Sequence, residues 1–258
     1  MPERGSGAVE VALFVPCYVD QLAPRVGLAT ASVLERLGCK VSFDPRQTCC
    51  GQPFVTTGAH AEAVRLARAH ATLFARAEAV VCPSASCVAT VRRRYAELLG
   101  EEQANPLAAR TFELGEFIVS RLRTSDVGAV FRHRVALLES CHGLRELGLG
   151  RPSEQLGGAG GEIGITERLL RGVAGLELLP VARRDECCGF GGAFSVGFPE
   201  LSARIGRDKL RALAESGASF VTGTDASCLL HLESLREREG FGPRAIHLAE
   251  ILASRGGA

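Results

Sequence analysis

No apolar stretch of this 258-residue sequence approaches the ~20 residues that a membrane-spanning helix needs, so direct membrane insertion is not expected and any attachment goes through a partner. A dominant charge is also missing. Thirty Lys and Arg stand against 29 Asp and Glu, a net charge of +1 with both signs interspersed, which leaves no basic footprint for nucleic acid. The first residues are polar and Gly-rich, and the apolar run Val9 to Val15 is short and leads directly into Cys17. That is not the pattern of a secretory leader, so the expected compartment is the cytoplasm. No Gly-rich dinucleotide fingerprint with an acidic partner occurs, so no nicotinamide or flavin fold is expected.

What the chain does have is ten cysteines. Disulfides are a poor explanation, because cytosolic thiols stay reduced and a chain of this length can bury a core without staples. Eight of the ten fall into one pattern written twice. Cys17, Cys49-Cys50-Gly51 and Cys87 form the first copy, and Cys141, Cys187-Cys188-Gly189 and Cys228 the second. Four thiolates drawn from three separated segments are what an iron-sulfur cluster or a structural zinc requires, since both accept soft sulfur ligands. Two copies predict two sites.

The repeat extends beyond the cysteines. Val11 to Cys17 aligns with Val135 to Cys141, each a strand-like run that delivers a cysteine at its C-terminal end. Val80 to Cys87 aligns with Val221 to Cys228 and ends in the same Ala-Ser-Cys. Between these landmarks helical periodicity over 26–37, 60–77, 88–99, 163–173, 199–216 and 229–238 alternates with strand-like runs at 40–43, 176–181 and 219–222. Such alternation predicts an α/β fold of two pseudo-repeated halves, residues 1–126 and 127–258, with mainly parallel sheets. Each half then carries its cysteine site at strand C-terminal ends, where open parallel sheets gather ligands.

Adjacent residues on an extended strand point to opposite faces, so both cysteines of a triplet reach one site only if the chain turns there. Gly51 and Gly189 permit that turn, and Gly191 and Gly192 add to it in the second copy. All four are candidates to bring backbone N–H groups close to an anionic centre. Cys39, between a helix-capping Gly and a strand, reads as a small buried hydrophobe. Cys82 lies at a strand end beside the presumed site and can be either ligand or core. His142 and the arginines at 92–94 and 183–184 read first as structural or solvated groups.

With these motifs the chain resembles the cysteine-rich CCG-domain proteins, a family that includes the heterodisulfide reductase B subunit and the glycolate oxidase iron-sulfur subunit. The likeness is strongest to its lactate-utilisation A branch, through Leu13 to Asp20, Cys49 to Pro53, Pro83 to Cys87, Cys141-His142, Cys187 to Val196 and His247 to Leu252. The resemblance implies an iron-sulfur subunit that relays electrons in a system oxidising L-lactate to pyruvate. It also implies two further lactate-utilisation subunits as partners, one of them ferredoxin-like. The broader family ends each half in Cys-x-x-Cys, where this chain has Ser84-x-x-Cys87 and Asp225-x-x-Cys228. Four cysteines per half fit two [4Fe-4S] clusters, with Cys82 or an Asp225 oxygen as a further contact and zinc in one site as the lesser alternative. A heterodisulfide reductase-like thiol or disulfide reductase, a glycolate oxidase-type iron-sulfur subunit and a zinc-bearing structural subunit are the competing functions. The Gly-rich stretch 157–161 is expected to be a surface loop.

Overall fold

The computed structural model describes residues 8–153 and 163–256, so the loop expected at 157–161 lies outside the described residues. Two four-stranded sheets carry the fold, and every strand pairing in them is parallel. In the first half β1 (Glu10–Leu13), β2 (Lys40–Ser42), β3 (Ala79–Cys82) and β4 (Thr111–Glu113) lie in the order β2-β1-β3-β4. The second half repeats this with β5 (Arg134–Leu137), β6 (Glu177–Leu179), β7 (Phe220–Gly223) and β8 (Arg244–His247) in the order β6-β5-β7-β8. Two pseudo-repeated α/β halves are thus what the chain builds. The central strand β3 reads Ala-Val-Val-Cys and is buried throughout, as a parallel strand covered on both faces should be.

Helices fill the crossovers. The first half has α1 (Cys17–Leu22), α2 (Pro24–Arg36), α3 (Gln52–Thr57), α4 (His60–Leu73), α5 (Ala85–Leu99), α6 (Glu101–Ala109) and α7 (Leu114–Glu116), which continues as a π-helical turn over Phe117–Arg121. The second has a π-helical turn at His142–Glu146, then α8 (Ile165–Arg171), α9 (Ala193–Gly197), α10 (Pro199–Glu215), α11 (Ala226–Glu239) and α12 (Leu248–Ala253). Among the described residues no helix is long and apolar enough to cross a membrane. Helices α5 and α11 begin three residues earlier than the periodicity indicated, which draws Cys87 and Cys228 into their first turns.

The halves are tied by exchanged terminal helices. Helix α12 packs on α2, while α7 packs on α8. Buried Val26, Thr30, Val33 and Leu34 of α2 follow the spacing of a single helical stripe, which is the face α12 covers. One central core consequently runs through both halves, from Val11 and Leu34 through Phe117 and Leu169 to Leu252. Val127 and Ala129, in the connection between the halves, are buried in that core.

Candidate functional site

In each sheet the chain leaves the two central strands in opposite directions, and the crevice beyond their C-terminal ends is where parallel α/β sheets place ligands. Cys17 opens α1 directly after β1, and Cys87 lies in the first turn of α5 after β3. The triplet Cys49-Cys50-Gly51 comes from the loop that leads to α3. Cys141, Cys187-Cys188-Gly189 and Cys228 take the same stations around β5 and β7. All eight cysteines line a single cleft of about 420 Å³. Sequence spacing indicated two sites; it did not indicate that both groups face the same space.

Within each group the thiols meet in pairs. In the first, Cys17 Sγ is 3.7 Å from Cys49 Sγ and Cys50 Sγ is 3.3 Å from Cys87 Sγ; in the second, Cys188 Sγ is 2.7 Å from Cys228 Sγ. Among the described residues no three or more His, Cys, Asp and Glu side chains gather around a common point suited to one metal ion. The triplet turn is built identically twice. Gly51 has φ +90° and Gly189 φ +89°, and each donates its N–H to the sulfur of the first triplet cysteine at 3.3 Å. A left-handed residue here aims the N–H inward, a conformation glycine takes without strain. Space adds a second reason at Gly189, where a Cβ would collide with the Ser202 carbonyl and lie 2.8 Å from Gly206 N. Gly191 and Gly192 also have positive φ and line the cleft. In the second triplet, however, the N–H groups directed at sulfur belong to Gly189 and Phe190.

The electrostatics repeat as well. Hydrogen bonds from Cys17 and then Cys50 hold the Cys49 thiol down to about 3, and Cys141 and Cys188 hold Cys187 down to about 2. Cys17 and Cys141, as the donors, are pushed up in turn. Cys50 and Cys188 are raised by their neighbouring triplet thiolates and by burial. Each group thus concentrates negative charge on one sulfur stabilised by backbone N–H, a charge that an electropositive centre would complement.

Supports behind the triplets differ between halves. Tyr95, fully buried, donates its hydroxyl to the Cys50 carbonyl at 2.9 Å. On the other side Ser202 Oγ donates to the Gly189 carbonyl at 2.8 Å. The residue after the first cysteine of one half touches the residue after the triplet of the other. The Gln52 amide donates to His142 Nε2 at 3.1 Å, and the Tyr18 and Phe190 rings meet edge to face with centroids 5.5 Å apart. Such reciprocal contacts are the mark of two-fold symmetry. One of the two contacts is polar and the other aromatic, and all four residues line the cleft. His142 is therefore an inter-half bridge.

The two positions lacking a family cysteine are also bridged. Ser84 Oγ donates to Asp225 Oδ1 at 3.0 Å, and Ser86 N donates to the same oxygen at 2.9 Å. That oxygen is committed to hydrogen bonds, so the further contact from Asp225 is left to Oδ2, which has no partner. Cys82 lies behind the cleft, its thiol donating to the Ser84 carbonyl at 3.8 Å, and Cys39 sits in the central core. Arg92 pairs with Glu116 at 2.9 Å and Arg93 binds the Glu146 carbonyl at 2.8 Å, which makes both structural.

Comparison with known proteins agrees with this architecture. The family model described as "Cysteine-rich domain", abbreviated CCG, matches residues 11–92 and again 135–233. Lactate utilization protein A of an Exiguobacterium species is 40% identical over 249 residues, covering 94% of this chain and 96% of its own. The protein of the same name from Halalkalibacterium halodurans is 38% identical over 249 residues, at 95% and 96% coverage. That from Bacillus velezensis is 38% identical over 252 residues, at 96% and 100%. The chain belongs to the cysteine-rich CCG domain family, within the branch of the lactate utilization A proteins.

Proposed function

We propose that the chain is an iron-sulfur subunit that transfers electrons in a multi-protein system oxidising L-lactate to pyruvate. The observation that carries this reading is the pair of equivalent cysteine quartets on one cleft, each with a triplet glycine donating N–H to sulfur. Cys17, Cys49, Cys50 and Cys87 would hold one [4Fe-4S] cluster, and Cys141, Cys187, Cys188 and Cys228 the other. Such clusters supply reversible one-electron acceptance. The rest is the work of this chain's own residues. Gly51 and Gly189 stabilise charge on sulfur, and Tyr95 and Ser202 fix the triplet turns by donating to the Cys50 and Gly189 carbonyls. The burial of Cys50 and Cys188 limits water around the centre, and hydrogen bonding and burial are the levers by which a protein sets a cluster's potential. The lactate system is supported by the names of the relatives, lactate utilization proteins A; two partner subunits, one of them ferredoxin-like, and a cytoplasmic location belong to the same proposal.

The shared cleft favours one second reading, reductive cleavage of a disulfide held between the quartets, with one electron from each and a proton to each sulfur. Substrate-dependent reoxidation of the isolated, reduced chain by a disulfide tells this apart from pure relay.

The deciding experiment is anaerobic purification with iron, acid-labile sulfide and zinc counted per chain, and spectra taken with and without dithionite. About eight irons and reversible bleaching are expected for two [4Fe-4S] clusters. Zinc in their place, giving a colourless protein, would remove the electron-transfer role.

A further inference from the structure

The two quartets match in their thiols but not in the charge behind them. Counting along α4 from Ala63, which abuts Gly51, and along α10 from Ser202, which abuts Gly189, the residues seven positions on are His70 and Lys209. Seven residues are two helical turns, so the two side chains hold the same station behind their triplets. His70 is 4% exposed and its Nε2 has no hydrogen-bond partner; it sits among the rings of Phe14, Phe74 and Tyr95. Lys209, one of only two lysines in the chain, is 1% exposed and donates to the carbonyls of Arg183 and Arg184 at 2.9 and 2.8 Å.

The carboxylates facing Lys209 do not cancel it. Asp185 is paired with Arg145 at 3.1 Å, Glu139 with Arg184 at 3.0 Å and Glu186 with Arg183 at 3.3 Å. Lys209 is the cation in excess. In the first half the residue two before the triplet, matching Asp185, is the neutral Gln47, which bonds Val15 N and the Leu13 carbonyl. His231, whose ring neighbours Phe190, adds to the positive side when protonated. Asp225 bonds its own counterpart Ser84 and so lies between the halves. Burial disfavours the charged form of both groups: it holds His70 down to about 4, hence neutral at pH 7, and it lowers Lys209 from its ordinary 10.5 against the opposing pull of Glu186, Asp185 and Glu139.

We propose that Lys209 makes the two quartets electrostatically unequal, so that a centre held by Cys141, Cys187, Cys188 and Cys228 has the higher reduction potential and is the electron sink of the pair. A fixed positive charge stabilises the form carrying the extra electron. When one electron passes between the two centres, the first-half centre is oxidised by one and the second-half centre reduced by one. The inference rests on the iron-sulfur reading above.

The test is an EPR-monitored potentiometric titration of the full chain, with iron counted on the same samples. Cys188→Ser and Cys50→Ser leave one quartet each and assign the two midpoints; a higher second-half midpoint is expected, and an equal or inverted order overturns the proposal. Lys209→Gln keeps two N–H donors for the carbonyls and removes the charge, so the second midpoint should fall toward the first while the first stays. Lys209→Arg should keep them apart. A Gln variant with both midpoints unmoved overturns the role of Lys209. If that variant loses its second centre, the Arg variant and the order in the single-quartet chains still decide. A wild-type chain without iron refutes the iron-sulfur reading itself, and the count distinguishes that failure from the others.

Discussion

Ser84 and Asp225 hold equivalent places at the starts of α5 and α11 and are hydrogen-bonded to each other, Ser84 Oγ to Asp225 Oδ1 at 3.0 Å. Asp225 does not cap its own helix; it accepts from the Ser86 N–H in the first turn of α5 instead. A carboxylate at a helix N-terminus satisfies an otherwise orphaned donor. Here the carboxylate comes from the other half, so one residue ties the two sites together.

Asp225→Ala should cost about 1.5–3 kcal/mol, because Asp225 is 2% exposed and its loss leaves a buried hydroxyl and a buried N–H without their charged acceptor. Asp225→Asn keeps an acceptor oxygen and should cost less. Denaturant midpoints at constant m-value measure both, and equal midpoints for wild type and Ala would contradict the bridging role.

The triplet glycines should respond unequally to alanine. At Gly51 the nearest atom to a new Cβ is 3.6 Å away, so only the left-handed backbone resists, at about 1–2 kcal/mol. At Gly189 the Cβ also meets the backbone of α10, and the second site should come apart. Iron per chain is the readout: close to wild type for Gly51→Ala, about half for Gly189→Ala.

Cys50→Ser and Cys188→Ser should each remove about half the iron, whereas thermal unfolding should remain one transition in each variant. The single transition follows from the central core, to which both halves contribute. Two separated transitions would show that the halves fold independently. Loss of all iron from either variant would replace two sites with one shared centre.

Glu113 sets a pH dependence. It is fully buried and caps α7, accepting from Gly115 N and Glu116 N at 2.7 and 3.1 Å, and burial raises its carboxyl from 4.5 to about 8. Between those values the folded chain holds a proton that the unfolded chain has released. Stability should therefore fall as pH rises from about 4.5 to about 8, by up to about 1.4 kcal/mol per unit, and level off above. Glu113→Gln keeps the accepting oxygen and should flatten that slope in chemical denaturation curves taken across the range.

Much of this was legible in the residue order. Strand-like runs ending in cysteine, helical stripes and the doubled Cys-Cys-Gly mark an α/β repeat because side-chain periodicity and turn chemistry are local properties. Helix α2 and the strands β1, β3, β5 and β7 follow directly from them. The strands β4 and β8 do not, since neither leads into a cysteine and each runs without a break into a helix, α7 or α12, so that no turn residue marks its end. The early starts of α5 and α11 were also hidden, because the Ser and Cys of their shared Ala-Ser-Cys first turns are weak helix formers, and Ser favours turns as readily as helix.

Sequence by itself determined the cysteine inventory, the doubling and the parallel α/β class. Only the tertiary structure decided that both quartets face one cleft and that Ser84 and Asp225 meet, although they are 141 residues apart. It alone shows that α12 and α7 exchange partners and that Lys209 stands where the first half has a neutral histidine. The reason is physical. Spacing along a chain constrains neighbours within a few residues, whereas the relation of one half to the other is fixed by which apolar faces bury each other and which buried polar groups find partners.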